Sequence, residues 1–218
     1  MTGMYDLHTH TILSDGELLP IELIRRAAVL GYSTIGITDH VDASNISRVI
    51  RELQDVRASA EEYGVEFICG VEITHVPPSH IASLARRAKS EGAQIVIVHG
   101  ESPVEPVAPG TNTAACSCDQ VDILAHPGFI SVDDAQRAVR YNVALEITSR
   151  CGHNRTNGFV VQVAREAGCT MVVNSDAHAP GDLMNKDARV AVARGAGMSE
   201  EECIAALSLD AVRHIIRQ

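Results

Sequence analysis

The chain has 218 residues, of which 45% are hydrophobic and 21% charged. This composition is typical of a globular domain and excludes a disordered or fibrous protein. Apolar runs such as residues 95–98 are far shorter than the roughly 20 residues that cross a bilayer. The formal net charge of −10 opposes general nucleic-acid binding, because the surface would repel a polyanion. We therefore expect a single domain over residues 1–218 that lies in the cytoplasm, has no membrane partner and is not a general nucleic-acid binder.

Seven short runs rich in β-branched residues predict strands, at 5–7, 34–38, 66–74, 94–98, 121–125, 143–148 and 170–174. Segments with helical periodicity lie between them, at 20–30, 44–63, 79–91, 133–141 and 157–167. Residues 101–113 contain three prolines and read as a long irregular loop. After the last strand, residues 184–218 read as helical, with Ser199 capping a helix over 200–208 and a final helix over 210–217. We expect this segment to pack on the outside of the domain.

Regular alternation of strands and helices predicts an α/β fold with a parallel sheet and helices outside. A closed barrel and an open doubly wound sheet both satisfy that alternation. No glycine-rich nucleotide loop follows any of the predicted strands, which weakens the open dinucleotide-binding alternative.

Histidines and acidic residues are concentrated where the predicted strands end. Six of the ten histidines and three acids occupy such positions: His8, His10, Asp15, His40, Glu72, His99, His126, Asp176 and His178. In a βα barrel the carboxyl ends of all strands meet on one face, so these side chains would converge there. One zinc ion takes about four ligands, so this set predicts two or three divalent ions of zinc, manganese or iron. Adjacent ions of this kind suit phosphoester hydrolysis.

The ordered motifs resemble the PHP family, named for polymerase and histidinol phosphatase domains. The matching segments are His8-x-His10, Asp15, Asp39-His40, Gly70-x-Glu72, His99-Gly, His126-Pro and Ser175-Asp176-x-His178. The resemblance implies a distorted seven-stranded (βα)7 TIM-like barrel with a trinuclear metal site, in which a hydroxide bridging the metals is the nucleophile.

The same resemblance assigns the metal ligands. The first position takes His8, His10, Glu72 and Asp176. The second takes Asp15, His40 and His178. The third takes His99 and His126, with Glu72 bridging to the first.

Other polar residues are candidates for supporting roles. Arg150, just past the sixth strand, either contacts a substrate phosphate or forms a surface salt bridge; the first role makes it, with Glu72 and Asp176, a predicted catalytic residue. Asp39 would orient His40, and Glu101 and Asn112 are either cavity-lining or solvated loop residues. Four histidines fall outside the pattern: His75, His80, His153 and His214. We expect them to be ordinary surface or loop residues, and any exception to be His75 or His153, because each of these follows a strand.

We expect a metal-dependent phosphoesterase that hydrolyses a small phosphomonoester, either histidinol phosphate or a nucleotide-like compound. One alternative is an exonuclease acting on single-stranded nucleic acid, which the acidic charge opposes. Another is an amidohydrolase-type C–N hydrolase, which commonly bridges its metals with a strand-end lysine; neither Lys89 nor Lys186 ends a strand. The last is a non-catalytic RNA-binding module similar to the PHP-like subunit of ribonuclease P, which lacks most of the metal ligands and tends to be basic.

Overall fold

A computed structural model describes residues 3–216. Seven parallel strands follow one another around a sheet in the order β1 (Met4–Asp6), β2 (Tyr32–Ile37), β4 (Glu66–Ile73), β5 (Ile95–His99), β6 (Ile123–Ala125), β7 (Ala144–Thr148) and β8 (Met171–Asn174). A two-residue strand, β3 (His40–Val41), pairs with the end of β4 and was not predicted. The seven predicted strands and the α/β class are confirmed.

The sheet closes into a distorted barrel between its first and last strands. Just beyond β1 and β8, Thr9 forms an isolated parallel bridge with Ala177. The His10 amide donates to the Ala177 carbonyl at 2.8 Å, and the Asp176 amide donates to the His8 carbonyl at 2.9 Å. Closure therefore occurs at the carboxyl ends of these strands, where it fixes the backbone of several predicted ligands.

Helices form the outer layer. They are α1 (Pro20–Leu30), α2 (Ile46–Gln54), α3 (Arg57–Glu62), α4 (Pro78–Ser90), α5 (Thr111–Cys116), α6 (Val132–Tyr141), α7 (Asn157–Ala167), α8 (Lys186–Gly195), α9 (Glu200–Leu207) and α10 (Leu209–Val212). Local signals set several ends: α1 begins with proline in its first turn and ends at Gly31, whose φ of 86° permits the amide to bond back to the helix. Each helix of residues 3–216 is too short or too polar to span a bilayer.

Three predicted segments differ in the structure. The helix expected over 44–63 is two helices, because the chain tightens at Val56, whose amide bonds to the carbonyl of Leu53. The loop expected over 101–113 ends early, since α5 begins at Thr111. The helix expected over 210–217 consists of α10 and a 3-10 turn over Arg213–Ile215, and Arg217 lies outside the described residues.

Two apolar clusters stabilise the fold. The larger one lies between the sheet and the surrounding helices. The second contains inward-facing strand residues such as Ile68, Ile95 and Ile123, together with Leu209 and Val212 of α10. The expectation that the whole C-terminal segment packs outside was therefore wrong: its last part contacts apolar side chains of the barrel interior and buries them from water.

Candidate metal centre

The nine predicted ligands come together at the carboxyl ends of the strands. Eight of them are largely withdrawn from solvent, and the Asp15 side chain, 56% exposed, lies at the opening. Eight of the nine, all but Asp176, belong to groups whose ligand atoms lie close enough together to hold a metal ion. The expectation that these residues share one face of the barrel agrees with this arrangement, while their role as ligands stays a prediction.

The first predicted position has the tightest geometry. The Nε2 atoms of His8 and His10 lie 3.0 Å apart. Each is close to Glu72 Oε2, at 3.5 and 3.6 Å, and to Asp176 Oδ1, at 3.7 and 3.2 Å. Metal–ligand bonds of 2.0–2.2 Å place neighbouring ligand atoms roughly 3–3.5 Å apart, so His8, His10 and Glu72 could hold one metal ion, with Asp176 beside both imidazoles.

The second position lies on the solvent side of His10. Asp15 approaches His40 Nε2 at 3.5 Å through one oxygen and His178 Nε2 at 3.3 Å through the other. The His10 ring lies between these two imidazoles, with ring centroids 4.2 Å from each. His10 Nδ1 is 4.0 Å from Asp15, so His10 faces the first position with one nitrogen and the second with the other.

The third position is formed by His99 and His126, whose ring centroids are 4.5 Å apart. Glu72 turns its second oxygen, Oε1, toward His126 Nε2 at 3.7 Å, while its first oxygen faces His8 and His10. This is the arrangement that a carboxylate bridging two metals requires. His153 adds a third imidazole to this group.

Neighbouring groups orient three of the histidine rings so that Nε2 of each faces the cluster. The Nδ1 atom of His8 lies 2.7 Å from Glu146 Oε1. The Nδ1 atoms of His99 and His178 lie 3.1 and 2.9 Å from backbone carbonyl oxygens, which only accept hydrogen bonds. An Nδ1–H that donates outward leaves the Nε2 lone pair directed into the cluster, as in known metal sites.

The sequence indicates no ligand role for Glu146, and its role in orienting His8 was not predicted. Its carboxylate contacts His8, accepts from Asn174 Nδ2 at 2.9 Å and accepts from the His126 amide at 3.2 Å. The sequence feature that could have indicated this role is a glutamate within the apolar strand β7, and the structure shows that its side chain is fully buried. A charge in such a place needs partners, which here are residues on three other strands or strand ends.

Unpaired polar atoms test whether the cluster suits cations. Among the described residues, His10 Nδ1, Glu72 Oε1, His126 Nδ1 and Asp176 Oδ1 are buried without a hydrogen-bond partner, whereas Glu72 Oε2 lies 2.7 Å from His40 Nδ1. Burying such atoms unpaired is costly, and carboxylates and imidazoles are the ligands that zinc, manganese and iron accept. The donor set therefore fits divalent metal ions.

The charge states in the metal-free cluster are consistent with that fit. Burial, together with neighbouring imidazoles, holds the pKa values of His10 and His126 well below the ordinary histidine value, so both rings are neutral and able to bind a metal. Burial raises the pKa of Asp176 to about 7 despite the opposing effect of His8. For His40 burial acts in the opposite sense, but the Glu72 carboxylate prevails and raises its pKa to about 9.

Arg150 lies at the edge of the cavity that opens over the cluster. Its Nη1 donates to Asp182 Oδ2 at 3.3 Å, and its side chain is 32% exposed. Its guanidinium thus has a carboxylate partner and also faces the cavity. Its contact with a phosphate stays a prediction.

Three further predicted residues, Asp39, Glu101 and Asn112, form hydrogen bonds that hold loops in place. Asp39 accepts hydrogen bonds from Thr11 and Ser14, so its carboxylate holds the loop that leads to Asp15 and does not contact the His40 ring; Thr74 Oγ1 lies 2.6 Å from His40 Nδ1. Glu101 accepts from the amides of Gly110 and Asn112, and Asn112 donates to the Pro127 carbonyl. Both therefore clamp the proline-rich loop. His80 and His214 are exposed, as expected.

The cavity over the cluster has a volume of about 230 Å³ and is lined by six of the nine predicted ligands. That volume lies below the roughly 300–1,000 Å³ of typical small-molecule sites. It also contains His75, Glu105 and His153, of which Glu105 was not recognised from the sequence. Its position in an irregular loop gave no periodic signal.

The sequence matches a family model and several known proteins. Residues 6–105 match the family model described as PHP domain. The uncharacterized protein MJ1295 of Methanocaldococcus jannaschii is 47% identical over 200 residues, covering 91% of this chain and 92% of that protein. Ribonuclease P protein component 3 of Methanosarcina mazei is 30% identical over 219 residues, covering 94% of this chain and 85% of its own length. The chain belongs to the PHP family.

Solved structures support the same fold assignment. A histidinol phosphate phosphatase from Lactococcus lactis, solved with zinc, L-histidinol and phosphate, aligns with a TM-score of 0.63 and 16% identity over 90% of this chain and 95% of that one. A chain of archaeal ribonuclease P with mature tRNA aligns with a TM-score of 0.69 and 17% identity over 97% of this PHP protein and 89% of that chain. At these identities the likeness concerns the fold, and it confirms the barrel expected from the sequence.

Proposed function

We propose that this PHP-family protein is a single-domain, metal-dependent phosphoesterase over residues 1–218 that hydrolyses a small phosphomonoester. The observation that carries the proposal is the convergence of nine imidazole and carboxylate groups from six strand ends, with Glu72 Oε1 and Asp176 Oδ1 buried without a hydrogen-bond partner. An inactive scaffold would have no reason to keep such atoms buried and unpaired.

The residues would divide into three metal positions, as the family resemblance implies. His8, His10, Glu72 and Asp176 would hold the first metal. Asp15, His40 and His178 would hold the second. His99 and His126 would hold the third, with Glu72 shared between the first and third. Two or three zinc, manganese or iron ions bound there would supply an activated water and neutralise charge on the phosphate.

The protein's own side chains would position the substrate. Arg150 at the cavity edge would donate to a phosphate oxygen, exchanging its contact with Asp182 for one with the substrate. Burial disfavours the ionised form of Asp176, and a bound cation would offset that effect. The charge of Asp176 would therefore depend on metal occupancy. Glu146 would keep His8 in one tautomer throughout.

Cavity size supports a small substrate. About 230 Å³ accommodates a phosphate with a compact alcohol more readily than an extended strand. Histidinol phosphate is one candidate, since a structural neighbour was solved with L-histidinol and phosphate. A nucleotide-like monoester is the other, and a 5'-3' exoribonuclease of Haemophilus influenzae is 39% identical over 74 residues.

A second candidate function is assembly into a ribonuclease P. Three relatives named ribonuclease P protein component 3 match at least 94% of this chain. The net charge of −10 opposes direct RNA binding, because Lys and Arg total 18 against 28 acidic residues. We therefore rank this role below hydrolysis.

Phosphate release from a panel of substrates separates these functions. The panel contains histidinol phosphate, nucleoside monophosphates, simple alkyl phosphates, single-stranded RNA and single-stranded DNA, each tested with zinc, manganese or iron. We expect monoester hydrolysis that Glu72→Gln abolishes and that a surface control, Glu166→Gln, leaves unchanged. Degradation of RNA or DNA faster than of any monoester would favour the exonuclease. No hydrolysis at all, together with binding of the protein to a complex that contains precursor tRNA, would favour the ribonuclease P role.

A further inference from the structure

Three side chains outside the predicted ligand set extend the cluster toward solvent, and we call them the outer group: His75, Glu105 and His153. Glu105 lies between the two imidazoles. Its Oε2 is 3.1 Å from His75 Nε2 and also 3.1 Å from Nε2 of the predicted ligand His99. Its Oε1 is 3.3 Å from His153 Nε2.

The contact between His99 and Glu105 suits a bound cation. His99 Nδ1 is 3.1 Å from the Gly100 carbonyl oxygen, which can only accept, so Nδ1 carries the hydrogen in the neutral ring. In that ring the Nε2 lone pair faces a carboxylate oxygen at 3.1 Å, and either a proton on Nε2 or a metal ion bound by both atoms removes the repulsion. His75 Nε2 is equally close to the same oxygen, and the three ligand atoms are spaced as neighbours on metal bonds of 2.0–2.2 Å would be.

Backbone conformation supplies an independent indication. Among the described residues, four non-glycine residues have positive φ: His75, His126, Asn142 and Asp176. Asn142 ends α6, where such a conformation is common. The other three lie in the metal cluster, and two of those are predicted ligands. His75, with φ of 52°, therefore shares with His126 and Asp176 a backbone strain that is typical of functional sites.

His153 fixes the other side of the carboxylate. Its Nδ1 lies 2.6 Å from Ser102 Oγ, which orients the ring so that Nε2 meets Glu105 Oε1. The carboxylate is thereby held with Oε2 directed at His75 and His99. The same loop is secured at its far end by Glu101, whose carboxylate accepts from two backbone amides.

We propose that Glu105 and His75, together with His99, bind a divalent metal ion at the solvent-facing edge of the third position. This inference rests on the proposed metal centre and adds two ligands to it. Glu105 would also attach the proline-rich loop to the metal.

Metal affinity measured by chelator competition, with metal content per chain and the absorption spectrum of the cobalt-loaded protein, tests the proposal. Glu105→Gln removes the charged ligand. His75→Asn removes the imidazole, and asparagine tolerates the positive φ at this position. Glu101→Gln is the control, because it alters the same loop at a carboxylate that faces backbone amides and not the cluster.

We expect both variants to weaken one metal at least about tenfold, a loss typical of disturbed metal shells, and to change the cobalt spectrum, while the other metals keep their affinities. Affinities within twofold of the wild type in both variants would overturn the inference. An equal loss in Glu101→Gln would also overturn it, because loop displacement would then explain the effect. A wild-type protein that binds no metal would refute the proposed function itself, whereas three metals unaffected by Glu105→Gln would refute only the outer ligands.

Discussion

Substitution of Glu146 by glutamine tests how the barrel prepares a metal ligand. The Glu146 Oε1 atom lies 2.7 Å from His8 Nδ1 and accepts from Asn174, and its Oε2 accepts from the His126 amide. Glutamine keeps one acceptor for His8 and Asn174 but turns an NH₂ group toward the His126 amide. One buried hydrogen bond is lost, which costs about 1–3 kcal/mol of unfolding free energy.

Metal binding should suffer beyond that loss of stability. A neutral amide makes His8 less basic than a carboxylate does, so the first metal should bind about 10–100-fold more weakly, as is usual when an orienting partner is altered. Chelator competition gives the affinity and urea unfolding gives the stability. Glu166→Gln, on the exposed face of α7, is the matched control. Unchanged affinity in a folded Glu146→Gln protein would refute the idea that Glu146 prepares His8.

Further predictions address the cluster and its support. Saturation with zinc at about 100 times its dissociation constant should raise the melting temperature by roughly 5–10 °C, and an unchanged value would argue against a native-state metal site. Burial raises the pKa of Asp6 to about 6, so its ionisation on raising the pH disfavours the fold. The metal-free wild type should therefore lose about 2 kcal/mol relative to Asp6→Asn between pH 4 and 7, and a pH-independent difference in urea unfolding would contradict that pKa. Gly100→Ala would place a Cβ 2.3 Å from the Ala125 carbonyl oxygen, so it should displace the ends of β5 and β6 and cost one metal by elemental analysis; retention of every metal would show that these ends tolerate the shift.

The strand-end residues were predictable because two strong patterns coincide. Alternating strands and helices place every strand end on one face, and residues such as His8 and His10, two apart on an extended segment, point the same way. The structure places both Nε2 atoms 3.0 Å apart. Local pattern and global topology therefore give the same answer for this part of the site.

Contacts across the barrel were not predictable in the same way. Glu146 and His8 are 138 residues apart and their pairing has no periodic signal. Glu105 lies in a loop whose course depends on the contacts of Glu101 with Gly110 and Asn112, which no sequence rule specifies. Side chains that reach a site through loops or across strands thus escape a reading based on periodicity.

Errors in the helical layer have a similar origin. The break between α2 and α3 contains neither glycine nor proline, so residues 44–63 read as one helix. The C-terminal segment carries an ordinary amphipathic pattern that does not say which surface it covers. Leu209 and Val212 contact the barrel interior because apolar strand residues there need burial.

Anomalous X-ray diffraction from crystals of the zinc-loaded or manganese-loaded protein tests the central claim most directly. We predict anomalous peaks at the three proposed positions, each about 2.0–2.2 Å from its imidazole nitrogens and carboxylate oxygens, with Glu72 contacting two of them. Peaks elsewhere on the surface, or an absence of peaks at full metal saturation, would contradict the proposal that these nine residues form a metal centre.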